Sequence, residues 1–187
     1  MTKVVLFGDS LTAGVFEGHP TGIFTELLHD KFPDVEFINR GVPGDQSRNA
    51  CKRLRNDVLS EAPDLVVIFF GTNDVSSKEV FLANYHNNLA YMLSSIGPNK
   101  GLLITPGLTG PTRQNLRPLD KVEQYAKETL AVAEEFSVPV LDWFDYTKDQ
   151  DPKVLLQADD LHYSKKAYRE LTEQLTPLLK AKLAELG

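Results

Sequence analysis

Short runs of apolar residues alternate along this chain with segments in which apolar residues recur every three or four positions. Runs of this length that are rich in β-branched and aromatic side chains are typical of strands buried on both faces of a parallel sheet. The predicted strands cover residues 4–7, 35–38, 65–70, 102–105 and 138–141. The third run is the most continuous, which places it at the centre of the sheet.

The segments between these runs predict amphipathic helices, because spacings of three and four place side chains on one helix face. Ser164 precedes the last such segment and is expected to be its N-cap. The apolar stripes are Ile23, Phe24, Leu27, Leu28 and Phe32; Leu54, Val58 and Leu59; Val80, Phe81, Tyr85, Leu89, Leu93 and Ile96; Val122, Tyr125, Ala126, Thr129, Leu130, Ala133 and Phe136; and Tyr168, Leu171, Leu175, Leu178, Leu179 and Leu183. Five βα units in series predict an α/β sandwich with helices on both faces of a parallel sheet.

Polar and glycine residues follow the first three predicted strands. Ser10, Gly44 and Asn73 each come shortly after one of them. Ligands bind outside the carboxyl ends of the strands in such sheets, so these residues are expected to meet at one edge. Residues 106–118 leave the fourth strand at the same edge and are expected to wall the pocket.

A serine at a strand-to-helix turn becomes a nucleophile only when a base lies within hydrogen-bond reach. His162 is the preferred base, because Asp159 precedes it by three residues in a loop and can orient the imidazole. The local rival is His19, which lies close to Ser10 in the sequence. The two remaining histidines fall in helix-period segments: His29 and His86.

Each of these pieces also has an ordinary structural explanation. A Gly-Asp-Ser sequence is a common turn, and Asp-x-x-His can be a loop ion pair. Gly44 suits a turn with positive φ, and Asn73 suits a helix cap. The same applies to Asp9 and Asp74, which are expected to hold their turns in shape. The ordered combination, with three members after successive strands, favours a catalytic site.

Four sequence blocks together carry a resemblance to a known family. They are Phe7-Gly8-Asp9-Ser10-Leu11-Thr12, Asn39-Arg40-Gly41-Val42-Pro43-Gly44-Asp45, Gly71-Thr72-Asn73-Asp74 and Asp159-Asp160-Leu161-His162-Tyr163-Ser164. In this order they resemble the blocks of the SGNH hydrolases, also called the GDSL esterase/lipase family. The blocks span nearly the whole chain, so the resemblance predicts a single domain over residues 1–187.

The resemblance implies a flavodoxin-like three-layer sandwich with strand order 2-1-3-4-5 and no cofactor. It implies that Ser10 is the nucleophile, His162 the general base and acid, and Asp159 its partner. The implied oxyanion hole consists of the backbone N–H groups of Ser10 and Gly44 and the side-chain amide of Asn73. Removing one such donor typically costs about 10²–10³ in rate.

One position departs from the family pattern. The residue after the triad aspartate is often glycine in the family, whereas this chain has Asp160. The extra carboxylate leaves two candidates for the acid that orients His162. The three-residue spacing favours Asp159.

Composition narrows the function classes. The formal net charge is −6 and long basic runs are absent from the sequence, so a nucleic-acid partner is not expected. Apolar stretches long enough to span a membrane are also absent, and the first apolar run is too short for a signal-peptide core, so a cytoplasmic protein is expected. The single cysteine, Cys51, is interpreted as a packing residue, and no metal site is expected from the spacing of His, Cys, Asp and Glu.

The sequence therefore predicts an esterase that cleaves small carboxylic esters through an acyl-enzyme, with a short-chain or acetyl ester as substrate. Within the family, a carbohydrate O-deacetylase and a lysophospholipase or thioesterase remain alternatives. The alternative of another class is a non-catalytic flavodoxin-like module that binds a small molecule such as a flavin nucleotide in residues 8–14. Trp143 and Phe144 are expected in the core, with the acyl pocket as the alternative.

Overall fold

The computed structural model describes residues 1–186. Gly187, the last residue of the predicted domain, lies outside this range. The helices and strands, in chain order, are β1 Thr2–Gly8, α1 Ser10–Ala13, β2 Val15–Phe16, β3 His19–Pro20, α2 Ile23–Lys31, β4 Val35–Gly41, α3 Ser47–Asp57, β5 Leu65–Phe69, α4 Leu82–Ile96, β6 Gly101–Ile104, α5 Leu119–Phe136, β7 Val140–Leu141, α6 Trp143–Thr147, α7 Pro152–Leu155 and α8 Lys165–Ala184. Three short 3₁₀ turns cover Leu59–Glu61, Pro98–Lys100 and Pro111–Arg113.

The central sheet has five parallel strands in the order β4-β1-β5-β6-β7. The predicted central strand, β5, lies in the middle. Two short strands that the sequence pattern did not predict, β2 and β3, form a separate antiparallel hairpin. The numbering of the sheet strands differs from the prediction for this reason; counted among themselves, the five strands run 2-1-3-4-5.

Alternate residues of the buried strands face opposite layers. Val5 of β1 and Val66 of β5 pack with α3, α4 and α5 on one side. Val4 of β1 and Val67 of β5 pack with α2 and α8 on the other. The continuous apolar runs are explained by this double burial, and the predicted three-layer α/β/α architecture is confirmed.

Most helix boundaries follow the predicted stripes, and Ser164 caps α8 by accepting a hydrogen bond from the N–H of Ala167 at 3.1 Å. Phe81 is an exception. It was predicted to lie on the apolar face of α4, but the helix begins at Leu82 and Phe81 is 67 % exposed. Its backbone is extended (φ −82°, ψ 166°), so the helical period does not apply to it.

Trp143 begins α6 and is fully buried. Its indole Nε1–H donates to the hydroxyl of Tyr163 at 2.9 Å, and its ring stacks on Tyr146. The predicted core position of Trp143 therefore holds, and the ring braces the segment that follows His162. Within residues 1–186, none of the helices combines the length with the apolar composition that a membrane span requires.

Candidate active site

Ser10 lies in the tight turn between β1 and α1. Asp9 is the N-cap of α1, and its Oδ1 accepts a hydrogen bond from the N–H of Leu11 at 2.8 Å. This cap fixes the backbone on both sides of Ser10, which is the first residue of the helix. The Ser10 hydroxyl therefore lies at the carboxyl edge of the sheet, at the start of the short helix α1, whose first turn is held by the Asp9 cap.

His162 reaches this hydroxyl from the other end of the chain. Its Nε2 lies 3.1 Å from Ser10 Oγ, and its Nδ1 lies 2.5 Å from Asp159 Oδ2. The second carboxylate oxygen of Asp159 accepts from the N–H groups of Leu161 and His162, both at 3.0 Å. The structure thus brings together the three residues that the sequence predicted as a catalytic set.

The loop hydrogen bonds also set the charge of Asp159. Partial burial raises the pKa of this carboxyl, but the hydrogen bond from the His162 ring and those from the two backbone N–H groups lower it by more. The resulting pKa lies below the ordinary value. Asp159 is therefore ionised at neutral pH and holds the proton of the imidazole on Nδ1, which leaves Nε2 as an acceptor toward Ser10.

Asp160 faces away from the imidazole. Its Oδ2 accepts from the N–H of Thr112 at 2.9 Å, and its carbonyl accepts from the N–H of Gly110 at 2.9 Å. Its φ is +58°, in the left-handed region that favours glycine but also tolerates aspartate. The carboxylate here ties the histidine loop to residues 106–118, and Arg113 adds a bond from its Nε to the carbonyl of Asp159 at 2.9 Å.

Gly44 lies in the turn that follows β4. The N–H of Val42 donates to the carbonyl of Gly8 at 3.0 Å, which places this turn beside the end of β1. Gly44 has φ +79°, in the left-handed region that glycine adopts most readily. The predicted turn geometry and the predicted placement next to the serine turn are thus present together.

Asn73 lies after β5, and its buried side chain points back to the serine turn. Its Nδ2 donates to the carbonyl of Asp45 at 3.0 Å and, over 3.3 Å, to Oδ2 of Asp9. Its Oδ1 accepts from Nη2 of Arg117 at 3.1 Å. The alternative of a helix cap is wrong, since the next helix begins nine residues later at Leu82.

Two buried carboxyls support these turns. Burial raises the pKa of Asp9 to about 7, despite the hydrogen bond from Leu11 and the nearby charge of Arg117. Burial likewise raises the pKa of Asp74 to about 6, although its Oδ1 accepts from both the N–H and the hydroxyl of Ser47. Both aspartates hold turns in shape, as the sequence predicted, and both make the fold sensitive to pH.

We expect Asp9→Asn to gain stability relative to wild type as the pH rises from about 4 to about 7. The folded protein holds a proton on Asp9 that the unfolded chain releases above pH 3.8, so the wild-type free energy of unfolding falls as pH rises toward 7. Asparagine does not titrate and escapes this loss. At about 1.4 kcal/mol per pKa unit, the full window is on the order of 4 kcal/mol. Urea unfolding at several pH values measures it; a constant difference between the two proteins would contradict the expectation.

The other candidate residues lie apart from this row. His19 is exposed in the β2–β3 hairpin, and His29 is on the exposed side of α2. His86, on α4, lies between Glu128 and Glu135 of α5. Burial raises the pKa of Cys51 to about 11, so its thiol stays protonated at neutral pH. Among residues 1–186, no group of three or more His, Cys, Asp or Glu side chains has the arrangement of a metal site.

An open cavity of about 690 Å³ adjoins the histidine loop at Asp159. It lies between the β2–β3 hairpin and the start of α8, and its lining includes the apolar residues Phe16, Val154 and Ala158 and the charged residue Lys165. Its volume is in the range of small-molecule sites. The sequence did not predict this cavity, because two-residue strands leave no periodic signal.

A serine, a histidine and an aspartate in one hydrogen-bonded row, at the carboxyl edge of a parallel α/β sheet, is the arrangement of serine hydrolases. The family model of the GDSL-like lipase/acylhydrolases matches residues 6–170. The chain therefore belongs to this family and is an enzyme of the carboxylic ester hydrolase class.

Relatives and solved structures agree with this membership. The chain is 30 % identical to the isoamyl acetate-hydrolyzing esterase 1 homolog of Mus musculus, over 98 % of this chain and 84 % of the relative. It is 28 % identical to the acetylxylan esterase of Geobacillus stearothermophilus, over 71 % and 72 %. The crystal structure of the lipase/acylhydrolase from Enterococcus faecalis superposes with a TM-score of 0.90 at 34 % identity, over 97 % and 96 % of the two chains. The alternative of a non-catalytic binding module finds no support among these relatives.

Proposed function

We propose that this chain hydrolyses small carboxylic esters through an acyl-enzyme formed on Ser10. The observation that carries the proposal is the row of hydrogen-bonding atoms from Ser10 Oγ through His162 to Asp159. In this row the imidazole is held with its proton toward an ionised carboxylate and its free nitrogen toward the hydroxyl.

The acylation step follows from this geometry. Ser10 Oγ attacks the ester carbonyl carbon while His162 Nε2 takes the hydroxyl proton, and the carbonyl π electrons move to the oxygen. Asp159 stabilises the imidazolium that forms. The oxyanion is stabilised by the N–H groups of Ser10 and Gly44 and by Nδ2 of Asn73.

The intermediate collapses when the bond to the alkoxy group breaks, and His162 returns its proton to the leaving alcohol. A water molecule then takes the place of the alcohol beside the acyl-enzyme. His162 takes a proton from this water, the hydroxide forms a bond to the acyl carbon, and the ester bond to Ser10 breaks. The acid is released and Ser10 Oγ takes the proton back from His162 Nε2, which returns the enzyme to its starting state.

We propose acetyl and other short-chain esters as the substrate class. Two relatives carry names that refer to acetyl esters, one of an alcohol and one of a polysaccharide. A carbohydrate O-deacetylase is therefore the second candidate, and it shares the acetyl group with the first. The two differ in the leaving group, which is an alkyl alcohol or a sugar hydroxyl.

We expect a fluorophosphonate to label the protein once, with the adduct on Ser10 in peptide mass spectrometry. An excess of p-nitrophenyl acetate should slow the labelling, since both compounds compete for one nucleophile. An adduct on another residue, or labelling that the ester does not slow, would contradict the proposed mechanism.

The substrate class has a separate test. Hydrolysis of p-nitrophenyl esters from acetyl to octanoyl should give a kcat/KM that falls with chain length. A rise with chain length would overturn the acetyl assignment and leave the nucleophile untouched. Isoamyl acetate and an acetylated xylo-oligosaccharide, compared at equal concentration, distinguish the two leaving groups.

A further inference from the structure

Arg117 is a buried arginine in the irregular segment before α5. It is only 8 % exposed. Its Nε donates to the carbonyl of Thr72 at 2.8 Å, and its Nη2 donates to Oδ1 of Asn73 at 3.1 Å. Burying a guanidinium is costly, and these two bonds offset part of that cost.

We propose that Arg117 is a positioning residue that fixes the side-chain amide of Asn73 with Nδ2 toward the carbonyl oxygen of an ester bound at Ser10. This inference rests on the proposed function, and it adds a residue from a segment that the four sequence blocks do not include.

The partners of Asn73 distinguish the two ends of its amide. Oδ1 faces a cationic donor, whereas Nδ2 faces the carbonyl of Asp45 and Oδ2 of Asp9. Rotating the amide by half a turn would oppose an NH₂ group to the guanidinium and an oxygen to the carbonyl oxygen of Asp45. Such a rotation is unfavourable at both ends.

One amide hydrogen remains weakly held in this orientation. The bond from Nδ2 to the Asp45 carbonyl is 3.0 Å long, while the contact to Asp9 is 3.3 Å. Asp9 directly precedes Ser10, so the weakly held hydrogen lies beside the serine turn. A charged donor on Oδ1 also polarises the amide and strengthens its N–H groups as donors.

The guanidinium suits this task better than an ammonium does. Its planar fork spans two acceptors that belong to consecutive residues, Thr72 and Asn73. Burial and the neighbouring Arg113 lower the pKa of Arg117, while Asp9 acts in the opposite direction. An arginine nevertheless remains charged in proteins, and lysine lacks the fork that reaches both acceptors at once.

A double-mutant cycle tests the proposal, with wild type, Arg117→Lys, Asn73→Ala and the double variant compared on p-nitrophenyl acetate. Asn73→Ala should lower kcat by about 10²–10³-fold. Arg117→Lys should also lower kcat, but by no more than about 10²–10³-fold, with KM nearly unchanged. The double variant should be no slower than Asn73→Ala alone, because Arg117 acts through an amide that is no longer present.

Independent losses that multiply in the double variant would overturn the proposal, as would an unchanged kcat in Arg117→Lys. If the lysine variant does not fold, the cycle is repeated with Arg117→Gln, which keeps one donor for Oδ1. Failure of both variants to fold would assign Arg117 to the fold instead and would also overturn the proposal. Ser10→Ala is measured in parallel. Activity in that variant would refute the proposed function itself, whereas an inactive Ser10→Ala variant together with a failed cycle would refute only the role of Arg117.

Discussion

Replacing Ser10 by alanine is expected to lower kcat for p-nitrophenyl acetate on the order of 10⁶-fold. The change removes Ser10 Oγ, which lies 3.1 Å from Nε2 of His162 and which would carry the acyl group. The imidazole and the oxyanion donors remain, so residual activity reflects binding and charge stabilisation alone. Steady-state kinetics at saturating ester measure the effect.

The fold of the Ser10→Ala variant should be unaffected. Asp9, not Ser10, caps α1, and alanine has a high helix propensity. We expect its unfolding midpoint in urea to match that of wild type. Ser95→Ala is a matched control, since Ser95 lies near the end of α4 and its hydroxyl donates to the carbonyl of Tyr91 in the same helix. Full activity in Ser10→Ala, or a comparable loss in Ser95→Ala, would refute the role of Ser10.

The predictable part of this molecule is the part with a periodic or positional signal. The five buried strands are continuous apolar runs, and their carboxyl ends place Ser10, Gly44 and Asn73 at one edge. His162 and Ser10 are in contact although they are 152 residues apart in the chain. The sequence alone supports that contact through the resemblance of the two terminal blocks.

Arg117 could not be predicted in the same way. It lies in residues 106–118, where no helical or strand period exists, and a charged residue in an irregular segment ordinarily faces solvent. Its burial depends on the path of this segment over the site, which the bonds from Gly110 and Thr112 to Asp160 fix. A long-range path of this kind has no local signature in the sequence.

Asp160 shows the opposite case, in which a departure from the family pattern has a local cause. The backbone at this position is left-handed (φ +58°), which explains why glycine is common there. Aspartate tolerates this conformation, and its carboxylate finds a donor in the N–H of Thr112. In the structure Asp159 contacts the imidazole and Asp160 contacts Thr112, which supports the prediction that Asp159 is the acid that orients His162.

Replacing Asp159 by asparagine is expected to lower kcat by about 10⁴-fold. The asparagine Oδ1 can still accept from the N–H groups of Leu161 and His162, so the loop keeps its shape. Its NH₂ group, however, would face Nδ1 of His162 as a donor. The imidazole must then carry its proton on Nε2, where it faces Ser10 and cannot accept the hydroxyl proton.

Asp160→Asn is the matched control, because it makes the same chemical change at the neighbouring residue. Asparagine tolerates a positive φ and keeps an acceptor for Thr112, so kcat should change by less than about threefold, as for surface substitutions worth ~0.5 kcal/mol. Kinetics on p-nitrophenyl acetate for both variants check the pair. Equal losses would mean that the carboxylates act together on His162. A larger loss in Asp160→Asn would transfer the orienting role to that residue, against the 2.5 Å contact between Asp159 and the imidazole.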